Sequence, residues 1–262
     1  MSSQRLSGIH ALVTGSSSGL GYAMARALLK EGATVAISSR GGEKLSKVVS
    51  QLREEGFDAH ELTMDVRSTD SIHAAVAWVN SHWGKLDVLV NNAGIGMRTV
   101  NKKFMFEPKP FYEVSPEGFR NLIETNLTGY FLVARAFAPM MVQQGHGRII
   151  NISMNHETMR RKGFVPYGPS RAGAESLSYI MAEDLRDSGV SVNILLPGGA
   201  TRTGMLPDEY ADAFDSMPGI LSPDIMARPI VYLSSPEAEG VTGERIVATE
   251  FDEWIRTRKS LT

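Results

Sequence analysis

The chain contains no cysteine, which excludes disulfides, thiolate metal ligands and cysteine nucleophiles and leaves the redox compartment undecided. It has no excess of either charge. Twenty-seven lysines and arginines stand against twenty-nine aspartates and glutamates, for a formal net charge of −2, and nothing in that balance argues for nucleic acid as a partner. No stretch reaches the roughly 20 uninterrupted apolar residues of a membrane helix. The opening MSSQRLSGIHALVTG lacks a long apolar core followed by a small-residue cleavage site. A Pro/Gly/Ser-rich linker is absent, and so is an internal repeat of fixed period. The expectation is a soluble, cytoplasmic protein that does not bind membranes or metal.

The 262 residues exceed the ~150-residue prior for one domain, yet single α/β domains reach this size. Hydrophobic residues make up 42% and charged residues 21%, enough for a large core and contrary to wholesale disorder. Short apolar runs alternate with longer helical patterns. IHALVTG (9–15), ATVAISS (33–39), DAHELTMDV (58–66), KLDVLVNNAG (85–94), GRIINIS (147–153) and VSVNILLPG (190–198) read as strands. GYAMARALLKEG (21–32), EKLSKVVSQLREEG (43–56), SIHAAVAWVNSHWG (71–84) and a segment from about Tyr167 to Asp187 read as helices. This alternation implies a parallel sheet covered by helices on both faces, and the nearly all-apolar strands agree with double coverage. One domain over residues 1–262 is the economical organisation.

TGSSSGLG (14–21) falls between the first strand and the first helix. Glycines there permit a tight turn and close backbone approach to a pyrophosphate, with helix-start N–H groups facing the phosphate. A glycine-rich turn can also serve only to pack helix on strand, but its position in a βαβ unit favours the binding role. Together with NNAG (91–94), NLTG (126–129), Tyr167 and PGGAT (197–201), this loop makes the chain resemble the short-chain dehydrogenase/reductase family from about residue 6 to residue 248. The resemblance implies a Rossmann-like, doubly wound α/β fold and a nicotinamide cofactor held by Gly15, Ser17, Ser18, Gly19, Leu20 and Gly21. By the same resemblance Asp65 bonds the adenine amino group, Val66 flanks the ring, and Asn92, Ala93 and Gly94 line the adenine ribose. Pro197, Gly198, Thr201 and Thr203 belong to the segment that meets the pyrophosphate or carboxamide.

Cofactor choice rests on the tip of the second strand. An acid there bonds the ribose 2′-hydroxyl of NAD, whereas an arginine favours the 2′-phosphate of NADP. The strand ends AISSRGG, with no acid and with Arg40 after Ser38 and Ser39. NADP(H) is therefore expected, with NAD(H) as the alternative. Ser18 is a point against, because NADP-preferring members often carry a basic residue at that place.

The family moves a hydride between nicotinamide and a carbonyl or carbinol carbon. A tyrosine carries the proton, a lysine lowers that tyrosine's pKa from ~10 and holds the nicotinamide ribose, a serine bonds the substrate oxygen, and an asparagine supports a water relay. Tyr167 and Asn126 match. The lysine is replaced by Arg171, one helical turn beyond Tyr167. Arginine supplies charge and fork-shaped donors but releases no proton near neutral pH. The serine position, counted seven from Gly147 or thirteen back from Tyr167, falls on Met154, which cannot donate a hydrogen bond. Ser153 is one residue off and faces the other side of a regular strand. A bulge could bring it round; otherwise Asn155 or His156 must supply the donor. Losing one such donor costs about 3–4 kcal/mol of barrier.

Between Asn91 and Asn126 the chain is longer than the family needs. The excess, MRTVNKKFMFEPKPFYEVS (97–115), carries Phe104, Phe106, Phe111, Tyr112, Lys102, Lys103 and Lys109, and Pro108 and Pro110 oppose regular helix. It could wall a substrate pocket or pack on a neighbouring subunit. RRK (160–162) adds positive charge, and if both basic stretches face the cleft the substrate is anionic. A lid is expected over about 204–224, where Met205, Leu206, Tyr210 and Phe214 either cover a bound substrate or simply pack. The last strand, about 244–249, is followed by a charged tail. The resemblance implies a homodimer or homotetramer. The expected activity is an NADP(H)-dependent oxidoreductase acting on a ketone or secondary alcohol, with Tyr167, Arg171 and Asn126 in the site; the competing expectation is a dinucleotide-binding protein without turnover.

Overall fold

The strands form where consecutive residues are apolar on both sides of the pleat. The computed structural model describes residues 4–204 and 219–259. In β1 (His10–Thr14), Ala11 and Val13 pack on one face and Leu12 on the other; in β2 (Thr34–Ser39), Val35 and Ile37 oppose Ala36. β3 (Ala59–Thr63), at the edge, is less apolar. β4 (Val88–Asn91), β5 (Gly147–Ile152), β6 (Val190–Leu196) and β7 (Arg245–Val247) complete the sheet. All pairings are parallel, in the order β3-β2-β1-β4-β5-β6-β7.

The described helices are α1 (Gly19–Lys30), α2 (Glu43–Glu54), α3 (Thr69–His82), α4 (Pro116–Ile123), α5 (Gly129–Gln144), α6 (His156–Met159), α7 (Tyr167–Asp184), α8 (Ala227–Ser234) and α9 (Phe251–Lys259). Leu28 of α1, Leu45 and Leu52 of α2, Ile230 of α8 and Phe251 of α9 cover the face lined by Val13, Ile37, Val90 and Ile246. Ile72 and Val79 of α3, Phe137 and Met141 of α5 and Ala182 of α7 cover the face lined by Leu12, Leu89 and Ile149. Phe137 is fully buried, and burial of such a side chain contributes about 1.5–3 kcal/mol. Local signals start and stop the helices. Ser68 and Ser115 accept the Ser71 and Gly118 N–H groups at the starts of α3 and α4, and Gly145 closes α5 in the left-handed conformation.

The strand order reverses between β1 and β4, so the loops after them leave toward opposite faces. That opens a crevice at the C-terminal edge of the sheet, where open α/β sheets place their ligands. The loops after β1, β4, β5 and β6 all reach this edge.

The expected α/β architecture and its parallel order are present; several boundaries differ. α1 starts at Gly19, two residues before the helical pattern of apolar residues begins. β4 starts at Val88, although the Asp87 backbone already donates to the His10 carbonyl and accepts the Arg148 N–H. β7 ends at Val247, and the expected charged tail is a helix: Phe251 and Trp254 pack on Tyr232 of α8 with ring centroids 5.6 and 5.8 Å away. Segment 97–115 holds only short 3-10 turns, at Met97–Thr99 and Phe111–Glu113. Of the expected lid, residues 205–218, and with them Met205, Leu206, Tyr210 and Phe214, lie outside the described residues. No described helix is long and apolar enough to cross a membrane, and no described cluster of three His, Asp or Glu side chains could hold a metal ion.

Candidate active site

The loop after β1 is built to bring backbone close to backbone. Gly15 has φ +65° and a Cβ on it would stand 2.8 Å from the Ala93 Cα; a Cβ on Gly21 would stand 2.5 Å from Asn92 Nδ2 and 2.5 Å from the Gly15 carbonyl oxygen. Thr14 stitches this loop to the segment after β4: its Oγ1 accepts the Asn92 and Ala93 N–H groups at 3.0 and 2.9 Å, while Asn92 Nδ2 donates to the Thr14 and Gly15 carbonyls. Ser18, at the N-cap of α1, makes no side-chain capping bond, and the first turn carries no acid. First-turn N–H groups without a side-chain cap, no competing negative charge, and glycines that admit no side chain together fit a bound pyrophosphate. Thr203 comes from the far side of the crevice, its Cβ 3.4 Å from where a Gly19 Cβ would lie. Thr201 is buried and donates to the Gly199 carbonyl at 3.2 Å, beside Pro197 and Gly198. Ser17 in the loop and Leu20 in the first turn of α1 are half-buried.

At the tip of β2 the two serines divide. Ser38 is buried and its Oγ has no hydrogen-bond partner, whereas the Ser39 Oγ accepts the Gly41 N–H at 3.4 Å. Arg40 is exposed. Its charge is felt at Asp65, whose carboxyl is held below the usual range chiefly by hydrogen bonds from Arg67, against an opposing push from burial. Arg67 grips Asp65 with Nε at 3.1 Å and Nη2 at 2.9 Å and reaches Asn121 of α4 with Nη1. Val66 is buried against Gly129, where a Cβ would meet its Cγ2 at 2.9 Å.

Tyr167 opens α7, half-buried, and Arg171 lies one turn along. Gly168 between them has no room for a side chain: its Cβ would fall 1.9 Å from the Met159 carbonyl oxygen. Arg171 is only 3% exposed. Its Cζ lies 5.4 Å from the ring centroids of both Tyr167 and Tyr130. Nη1 donates to the Tyr130 hydroxyl at 2.7 Å and to the Ile152 carbonyl at 3.0 Å. Burial by itself would drive the guanidinium toward its neutral form, but Tyr130 and Tyr167 outweigh it and hold the pKa above the ordinary arginine value. The Tyr130 phenol is pushed up by burial, with Arg171 opposing. Asn126 sits in a π-helical turn, Glu124–Thr128, a feature frequent at functional sites. Its Oδ1 accepts the Ile95 N–H at 2.8 Å, and its Nδ2 donates to the Ile95 carbonyl at 2.9 Å and to the Ser170 hydroxyl at 3.4 Å. This fixes the Gly94 segment against Arg171, whose Nη2 would be 2.6 Å from a Gly94 Cβ.

No bulge carries Ser153 round. Its N–H continues the ladder to the Leu195 carbonyl at 2.9 Å, and its Oγ donates to Glu175 Oε1 at 2.6 Å on the buried side of α7. Met154 instead joins Tyr167 in an apolar cluster with Met97, Phe104 and Phe164. Asn155 Nδ2 donates to the Gly198 carbonyl at 3.0 Å, and His156 Nε2 pairs with Glu175 Oε2 at 3.2 Å. Arg245 of β7 completes the clamp, donating to Glu175 through Nε at 3.0 Å and to the Met154 carbonyl through Nη2 at 2.9 Å.

The aromatic loop contributes unequally. Phe104 is buried against Phe164, ring centroids 5.7 Å apart, while Phe106, Phe111 and Tyr112 are exposed. Lys103 pairs with Glu107 at 2.9 Å. In the second basic stretch, Arg161 lies over Phe164 at 5.4 Å, and Phe164 is 6.5 Å from Tyr167 by ring centroids.

Sequence reasoning missed Tyr130, Glu175 and Arg245. A signal existed for each. Tyr130 directly follows NLTG, Glu175 stands one turn past Arg171 on the same helix face, and Arg245 is a charged residue in the last strand.

Residues 9–213 match the model of the short chain dehydrogenase family. A gluconate 5-dehydrogenase of Gluconobacter oxydans is 34% identical over 74% of this chain and 72% of its own. A 3-oxoacyl-acyl-carrier-protein reductase of Vibrio harveyi is 32% identical over 92% of this chain and 96% of its own. The crystal structure of a gluconate 5-dehydrogenase from Burkholderia cenocepacia, in complex with NADP and tartrate, superposes with a TM-score of 0.81 at 29% identity, covering 96% of this chain and 98% of that one.

Proposed function

The chain belongs to the short-chain dehydrogenase family, and we propose that it is an NADP(H)-dependent oxidoreductase that interconverts a ketone and a secondary alcohol, with Tyr167 as the proton carrier. The observation that carries this reading is the placement of a half-buried phenol against a buried, always-charged guanidinium, 5.4 Å from ring centroid to Cζ, beside a glycine cradle suited to a pyrophosphate.

When bound, the nicotinamide accepts or supplies the hydride. The chain's own residues do the rest. Gly15, Ser17, Ser18, Gly19, Leu20 and Gly21 hold the pyrophosphate. Asp65, Val66, Asn92, Ala93 and Gly94 line the adenosine half, and Pro197, Gly198, Thr201 and Thr203 close the opposite wall. Arg40 meets the 2′-phosphate; the NADP found in the Burkholderia structure and the lack of an acid at the β2 tip support that choice. Tyr167 holds a proton at its phenol oxygen and passes it to or from the substrate oxygen. Arg171 stabilises negative charge on that oxygen as the proton leaves, without itself giving one up. Asn126 keeps the Gly94 segment in place. Met97, Met154, Phe104 and Phe164 present an apolar wall that excludes water from the reacting carbon. Arg161, stacked over Phe164, offers positive charge to an anionic group at the far end of the substrate. The exposed Phe131 and Val142 of α5 and Tyr179 and Ile180 of α7 support self-association as a homodimer or homotetramer.

The test is a panel of ketones, aldehydes, polyols and sugar acids followed by NADPH and NADH absorbance, with Tyr167→Phe alongside. Turnover by the native chain that falls about 10²–10⁴-fold in Tyr167→Phe supports the reading. Tight NADPH binding with no response to any substrate would replace it with a dinucleotide-binding protein.

A further inference from the structure

Past the end of β5 the chain carries Met154 to the cleft beyond the β5–β6 ladder. The Ser153 N–H makes a last rung with the Leu195 carbonyl at 2.9 Å, and the Asn155 carbonyl accepts the Met159 N–H at 3.0 Å as α6 begins. Between them the Met154 carbonyl has one described donor, Arg245 Nη2, at 2.9 Å. Arg245 stands on β7, one strand beyond β6, so its side chain reaches past β6 to the end of β5. On the same edge of the guanidinium, Nε is shared between the two Glu175 oxygens at 3.0 and 3.1 Å. Glu175 lies on α7 about two turns beyond Tyr167 and on the same face. Both partners of this ion pair are largely closed off from solvent, so neither is free to drift as surface charges do. One side chain therefore holds the helix that carries the phenol and the backbone whose side chain walls the cleft. Met154 and Tyr167 pack against the same three residues, Met97, Phe104 and Phe164.

We propose that Arg245 is a positioning residue for the reaction: by bonding Glu175 and the Met154 carbonyl with one edge of its guanidinium, it sets the gap between the apolar wall at Met154 and the Tyr167 phenol, and so the depth at which a substrate carbonyl meets the proton carrier. Its effect on rate rests on the oxidoreductase reading above; the seating of Met154 does not. A clamp that served the fold alone would need only the ion pair. The second bond, to the Met154 carbonyl, is the one that bears on the cleft.

Arg245→Lys separates the two bonds. Lysine keeps the charge that Glu175 requires, but its ammonium ends one bond short of the Nη2 position. With whichever ketone of the panel is turned over, kcat/KM should fall about tenfold, the scale of a lost hydrogen bond to a charged group, while NADPH affinity and the urea midpoint stay as in the native chain. Retained turnover overturns the proposal. So does a loss of turnover that comes with an equal loss of NADPH affinity or of stability, because that is the behaviour of a residue that only supports the fold. A second measurement needs no substrate. Met154–Asn155 is the only Met–Asn step in the chain, so labelling methionine carbonyls with ¹³C and asparagine with ¹⁵N yields one amide signal that reports the Met154 carbonyl. Its ¹³C resonance should move upfield by more than its line width in Arg245→Lys, and an unmoved resonance overturns the seating. Should Arg245→Lys fail to fold, Glu175→Gln, which removes the charge that draws Arg245 while keeping the shape of the acceptor, is read by the same two measurements with the same expected outcomes. If the native chain turns over no substrate, the oxidoreductase reading falls, and the carbonyl resonance alone decides whether Arg245 seats Met154.

Discussion

Ser153 donates its hydroxyl to Glu175 across 2.6 Å, and that bond turns the serine at the end of β5 away from Tyr167. Glu175 is itself buried and also held by Arg245 and His156, so the serine belongs to a buried polar clamp and not to the cleft. Ser153→Ala is expected to leave the rate of hydride transfer unchanged while lowering stability by about 1–3 kcal/mol, the cost of leaving a buried acceptor short of a donor. Met154→Ser should instead raise kcat by about tenfold or more by adding a donor beside Tyr167, while lowering the urea midpoint through lost packing on Met97, Phe104 and Phe164. Loss of turnover in Ser153→Ala would put the serine back in the site.

The absence of a side chain at residue 94 is a condition for the position of Arg171. A Cβ there would stand 2.6 Å from Arg171 Nη2 and 3.1 Å from Asn126 Oδ1. A free arginine tip would move aside, but this one is tied at Nη1 to Tyr130 and Ile152. Gly94→Ala should therefore cost about 1–3 kcal/mol in stability, the usual scale of overpacking, and should weaken NADPH binding. Unchanged affinity by fluorescence titration would show that the guanidinium yields freely.

Arg40 is exposed at the tip of β2. Arg40→Ala should reduce NADPH affinity about tenfold, as expected for loss of a charge-assisted bond to phosphate, and leave NADH affinity unchanged. Parallel titrations check this; an equal effect on both cofactors would assign the 2′-position to other residues.

Asp87 is 4% exposed at the opposite edge of the sheet, where it accepts from the His10 N–H and His146 at 2.8 Å each and pairs with Lys85 at 3.0 Å. Burial alone would raise its pKa, but these partners outweigh burial and hold the carboxyl below the usual range. Its unfolded value is about 3.9. A lowered folded value contributes stability that is present above that pH and is lost as pH falls through the folded pKa. Asp87→Asn should accordingly cost about 2 kcal/mol near neutrality, and the gap to the native chain should close in acid. Urea unfolding at a series of pH values measures it. A gap that does not change with pH would mean that the charge is irrelevant and only the shape matters.

Much of the fold was legible because its cause is local and repetitive. Leu12 between Ala11 and Val13 announces a doubly buried strand, and TGSSSGLG between a strand and a helix announces a backbone turn with no room for side chains. The count put Met154 at the end of β5; that it packs there with Met97, Phe104 and Phe164 came only from the structure, in which the ladder continues without a bulge at Ser153. The terminal helix was hidden for a different reason. Phe251, Trp254 and Ile255 form a short apolar stripe among charges, and only the presence of Tyr232 on α8 makes that stripe a buried face.

The candidate site divides along the same line. The sequence by itself determined which chemical groups are present: a phenol and a guanidinium one helical turn apart, no cysteine, and no acid after β2. Tertiary structure alone decided how those groups are spent. Tyr130 and Arg171 are 41 positions apart, and Ser153, Glu175 and Arg245 come from a strand end, a helix and the last strand. Spacing within one element sets which side chains share a face; which elements face each other, and so which donor meets which acceptor, depends on the packing of the whole sheet.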